Sequence, residues 1–146
     1  MLIATGAVML AACGGDGDAA SRSDGSVVVT DVWARATPPG TTVGAVYLTA
    51  TSDTADSLTG ADVDPAIAAS ATLHSTETSG GMSMMTAQST LEIPTGDVLA
   101  LEPSGSHIML VDLTGPLESG TTFDLTLHFE QAGDETVTVE VRDDAP

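Results

Sequence analysis

The chain has 146 residues, enough for one domain with its own core and too few for two ordinary ones. Acidic residues outnumber basic ones 21 to 3, for a formal net charge of −18. A surface this negative repels phosphates and excludes nucleic acid as a partner.

The first element is an apolar leader. Residues 1–12 are mostly small and apolar and end in Leu10-Ala11-Ala12, directly before Cys13. The run is too short to span a bilayer as a helix. It resembles a bacterial lipoprotein signal, which implies cleavage before Cys13, lipidation of Cys13 and anchoring at the outer face of the cytoplasmic membrane or in the cell envelope. It departs from that pattern in one respect, since no Lys or Arg precedes the apolar run. Cys13 is the only cysteine, so no internal disulfide is possible. Nor does the domain hold a thiolate for a blue-copper centre. The stretch 13–26 continues with Gly, Asp, Ser and Ala and a single Arg, without periodicity, and reads as a flexible tether.

From Val27 the pattern is that of short strands broken by turn residues, with aromatics scarce (Trp33, Tyr47, Phe123 and Phe129) and the core left to Val, Leu, Ile and Ala. Such a set suits strands more than helices. Val27 to Ala36 reads as a strand stopped by Thr37-Pro38-Pro39-Gly40, and Val43 to Thr51 as a second. Ser57 to Val63 and Ile67 to Thr76 follow, with room for a helical turn near Pro65. Next come Leu91 to Ile93, Val98 to Leu101 and His107 to Leu113. The last two strands alternate most clearly. Phe123, Leu125, Leu127 and Phe129 point one way, with Asp124, Thr126, His128 and Glu130 pointing the other, and Val137, Val139 and Val141 repeat the pattern. About nine short strands and no long helix predict an all-β, antiparallel sandwich or barrel over residues 27–142, with 143–146 as a tail.

Two segments combine histidine with methionine. The first runs from His74 through Gly80-Gly81 to Met82-Ser83-Met84-Met85; the second is His107-Ile108-Met109. Residues two apart on a strand share a face, so His107 and Met109 stand side by side, away from Ile108 and Leu110, which belong to the core. The pair is therefore expected on the wetter face or the rim. The Gly80-Gly81 pair supplies a turn that can fold the methionine cluster back towards His74. Two imidazoles and two thioethers form a soft, uncharged donor set suited to monovalent copper and poorly suited to zinc, magnesium or calcium. Met82 and Met84 lie on the same loop and stay open as ligands, Met84 as the alternate to Met85. His128 falls on the polar face of its strand and is expected to be an ordinary surface residue.

The spacing H-x10-M-x21-H-x-M, carried by His74, Met85, His107 and Met109, resembles that of the PCuAC periplasmic copper chaperones. The surroundings agree: Ile93-Pro94-Thr95-Gly96, Leu101 to Leu110, Gly115-Pro116-Leu117, Leu125-Thr126-Leu127 and Ala132-Gly133, with Trp33-Ala34-Arg35 and Tyr47 upstream. The resemblance covers residues 27 to 142. It implies a cupredoxin-like β-sandwich that binds Cu(I) through those four residues. It further implies delivery of copper to the CuA centre of cytochrome c oxidase, alongside a Sco-type protein. Two departures stand out: the chain ends in Val141-Arg142-Asp143-Asp144-Ala145-Pro146 rather than in a Met- and His-rich tail, and it carries the lipoprotein-type leader.

No GxSxG, HExxH or phosphate-loop motif is present, so the expected function is carriage and not catalysis. Two alternatives are a copper electron-transfer or redox protein and a non-metal extracellular binding or adhesion sandwich.

Overall fold

The computed structural model describes residues 27–143. The leader, Cys13, the tether and the end of the tail lie outside the described residues. Ten strands and no helix make up what is described: β1 (Val27–Arg35), β2 (Val43–Ser52), β3 (Asp56–Val63), β4 (Ala68–Ser79), β5 (Met82–Gln88), β6 (Leu91–Ile93), β7 (Val98–Leu101), β8 (His107–Leu113), β9 (Thr122–Phe129) and β10 (Gly133–Arg142). The all-β expectation holds, with one strand more than the sequence pattern announced.

Seven strands close on themselves in the order β4-β8-β2-β1-β10-β9-β3, and β3 returns to β4 where Ala61 meets Ala71. Beyond this wall, β5 extends β4, β6 pairs with β3, and β7 pairs with β2. Closure satisfies the backbone of the central strands and leaves few free edges.

The barrel interior is built by period-two alternation. Phe123, Leu125, Leu127 and Phe129 of β9 are buried, as are Val139 and Val141 of β10, Val46, Leu48 and Ala50 of β2, and Ile108 and Leu110 of β8. Each fully buried Leu or Ile contributes about 1.5–3 kcal/mol. Asp64 makes a tight turn at Pro65, its carbonyl accepting from the amides of Ile67 and Ala68, and β4 begins directly after it.

Two features depart from a simple antiparallel sandwich. β1 and β10, the first and last strands, pair in parallel through Trp33–Glu140, Ala34–Val141 and Arg35–Arg142. β1 also carries a bulge. Its register with β2 shifts between Thr30 and Trp33, and Asp31 adopts a φ of 52°. One extra residue in a strand reverses which face later side chains occupy. Val27 therefore faces the core before the bulge, and Ala34 does so after it. Trp33 is turned to the outer face, opposite Tyr47.

Candidate metal centre

The outer face of β4, β8 and β5 gathers the residues singled out in the sequence. In the antiparallel pair of β4 and β8, His74 lies directly opposite His107, and Thr72 opposite Met109. In the hairpin of β4 and β5, Thr76 lies opposite Met85. Residues opposite one another in an antiparallel pair share a face. His74, Met85, His107 and Met109 are thus on one side of the sheet. Leu73 and Ile108, themselves register partners, lie on the other side, in the core.

The methionine segment is not a loop. It forms β5, joined to β4 by a two-residue turn in which Gly80 has φ 60° and Gly81 φ 80°, between the partners Ser79 and Met82. A turn with positive φ at both central residues matches the twist of a hairpin and calls for glycine. Strand alternation then separates Met84 from Met85. Met84 pairs with Glu77 on the opposite face and is 65% exposed, and Met82 shares that face at 71% exposed. Met85, at 54% exposed, lines a concavity of about 310 Å³ together with His107, Met109, Tyr47, Thr76 and Arg35.

His107 departs from its expected place on a wet face: it is only 6% exposed. The reason is cover from neighbouring rings. His74 stacks on one side, with centroids 5.9 Å apart and planes 14° apart, and Tyr47 lies 6.3 Å away at 55°. Trp33 packs behind Tyr47 at 4.7 Å. Trp33 and Tyr47 are buried yet lie outside the main core cluster, forming a small second layer on the site's face. Burial raises the Tyr47 phenol pKa, and the nearby Arg35 charge partly offsets this. Arg35 entered the sequence reading only as part of the family likeness, and Tyr47 only there and among the scarce aromatics. The alternation of Tyr47 against the core residues Val46 and Leu48 is the signal that places Tyr47 on this face.

Hydrogen bonds orient both imidazoles. Nδ1 of His107 lies 3.3 Å from the Gly105 carbonyl. A carbonyl only accepts, so that contact puts the proton on Nδ1 and leaves Nε2 with a free lone pair. Nδ1 of His74 lies 3.3 Å from Thr72 Oγ1. An imidazole fixed through one nitrogen presents the other to a metal. Among the described residues, no three His, Cys, Asp or Glu come together as a metal-holding group. The donors on this face are neutral nitrogen and sulfur.

His128 lies elsewhere, on β9. Its Nδ1 is 2.6 Å from Asp134 Oδ1 and its Nε2 is 2.7 Å from Asp62 Oδ2, so neither ring nitrogen is spare. A residue the sequence did not single out is Asp56. It is buried, and its carboxylate accepts from the amides of Ser57, Gln131 and Ala132, tying β3 to the turn between β9 and β10.

Residues 27–141 match the LpqE-like family, whose description names lipoproteins. The chain belongs to this family. A protein of Leifsonia xyli subsp. xyli, also named as a lipoprotein, is 44% identical over 77 residues, which is 52% of this chain. The match spans about half of that relative, 46% of its length. Among solved structures, the copper-bound PCuAC domain from PmoF2 is similar with a TM-score of 0.66 and 26% identity, over 82% of this chain and 93% of that one. Apo-DR1885 from Deinococcus radiodurans is similar with a TM-score of 0.62 and 31% identity, over 99% of this chain and 95% of that one. The CuI form of DR1885 gives 0.62 and 33%, over 80% of this chain and 79% of that one. The cupredoxin-like β fold expected from the sequence is therefore the fold of these PCuAC domains.

Proposed function

We propose that this LpqE-like protein is an extracytoplasmic Cu(I) carrier that holds its cargo between His74, Met85, His107 and Met109. The observation that supports this most is the gathering of two imidazoles and two thioethers, far apart in sequence, on one face, with Met85, His107 and Met109 lining one concavity and His74 stacked on His107. A neutral nitrogen and sulfur set favours a soft monovalent cation. The similarity to a copper-bound PCuAC domain and to a CuI-loaded relative points the same way.

In this reading, Cys13 carries the lipid that holds the domain at the membrane's outer face, and residues 14–26 are its tether. The acceptor is the CuA centre of cytochrome c oxidase, with a Sco-type protein as co-worker. The protein moves a metal and performs no bond chemistry, so it needs neither nucleophile nor general base. X-ray absorption on the Cu(I)-loaded domain tests the ligand set. Two sulfur and two nitrogen neighbours are expected, and a sphere of oxygen donors, or one without sulfur, overturns it.

A further inference from the structure

The concavity that holds Met85, His107 and Met109 differs in charge from three others on the surface. Three other surface concavities each carry carboxylates: Glu92 and Glu130 in one, Asp53 and Asp97 in another, Asp31 and Glu102 in the third. This one has no Asp or Glu in its lining, although the chain has 21 of them. It has instead Arg35, one of only three basic residues in the sequence. Arg142 is paired with Glu140. Arg35 is exposed and, among the described residues, is the one Lys or Arg without an ion pair. A lone unpaired guanidinium on a chain of net charge −18 leaves an opening for a negative group. The register partner of Arg35 on β10 is Arg142, whose charge Glu140 already takes up, so Arg35 is the charge left over at this mouth, and charges more than about 8 Å away are largely screened. Exposed Met85 and Val43 on the same lining add apolar contact. Methionine and arginine are residue types enriched where proteins meet.

Resting on the copper-carrying reading above, we infer that the mouth of this concavity is the docking surface for the protein that exchanges copper with this one. The partner segment bears a carboxylate beside its own metal ligands, and Arg35 pairs with that carboxylate in a planar two-point contact. The contact holds the partner's ligands over the site while the metal changes hands. Electrostatic complementarity of this kind governs partner choice and encounter rate more than the affinity of the buried site.

The test uses two synthetic acceptor peptides with the same Cys-x-x-Cys pair, one flanked by Glu and the other by Gln. Cu(I) moves to the two thiols without change of oxidation state, and two thiol protons pass to solvent. At physiological salt the wild-type domain is expected to load the Glu peptide about two- to five-fold faster than the Gln peptide, the scale of one exposed ion pair. Arg35→Gln abolishes that preference and Arg35→Lys keeps part of it, while chelator competition gives all three domains the same Cu(I) affinity. A preference that survives Arg35→Gln, or is absent from the wild type, overturns the docking assignment and leaves the copper site standing. If the wild type binds no Cu(I), the copper reading fails. Docking is then decided by amide shifts of the metal-free domain, which must cluster around Arg35 with the Glu peptide alone; shifts elsewhere or none overturn it.

Discussion

His74 and His107 are direct register partners across β4 and β8, and their rings stack 5.9 Å apart with planes 14° from parallel. The pairing brings together two residues separated by thirty-two others in the chain. It also places Thr72 and Met109 side by side one step along the same face. The candidate site is thus a property of strand register, and a slip of one residue would send Met109 into the core.

Removing a donor is expected to weaken Cu(I) binding by more than about 100-fold, the upper end for loss of an outer-shell partner. Met109→Ala and His107→Ala both do this in chelator competition. His107→Ala also lowers the melting temperature, because the ring is buried between His74 and Tyr47. His128→Ala leaves binding unchanged, since its nitrogens already face Asp134 and Asp62.

Strand alternation separates the neighbouring methionines. Met85→Ala is expected to remove one sulfur neighbour from the X-ray absorption spectrum of the Cu(I) form. Met84→Ala, on the opposite face, leaves the sulfur count intact. The reverse result would place β5 in the other register.

The His128 clasp predicts a pH dependence. Hydrogen bonds that the ring donates to Asp134, then to Asp62, raise the imidazole pKa above its ordinary value, against a smaller opposing effect of burial. A raised folded pKa means that the stabilisation is fully present below the unfolded value of about 6.5. It fades as pH rises through the folded pKa. Both carboxylates are largely exposed, so the effect is at most about 1 kcal/mol. Thermal melts across this range should show it in the wild type and not in His128→Ala.

Asp56 holds three backbone amides with one buried carboxylate. Asp56→Ala leaves them without that acceptor and is expected to cost about 3 kcal/mol. Asp56→Asn keeps one accepting oxygen and loses about half as much, measured as the shift in denaturant midpoint at constant slope.

The legible parts of the fold were those written in local alternation. Phe123 to Phe129 announced both a strand and its buried face, and β7 and β8 begin and end at the expected residues. β5 was not legible, because Met82-Ser83-Met84-Met85-Thr86-Ala87-Gln88 has neither alternation nor a β-branched cluster. Its strand character comes from pairing with β4 along its whole length. The parallel contact of β1 with β10 joins the two ends of the domain, and no nearby residue pattern encodes it. The burial of His107 was hidden for a related reason: the cover comes from Tyr47 and His74, on other strands. The same holds for Asp56, two of whose three amide partners lie 75 and 76 positions away.

The wall of the barrel bears His74, His107 and Met109, whereas Met85 rides on β5, which is bonded to a single neighbour. Three of the four proposed donors are therefore fixed in a rigid frame, and the fourth sits on an arm. Lifting that arm would strip one sulfur from the metal while the hydrophobic interior stays sealed, so cargo can leave without the carrier unfolding.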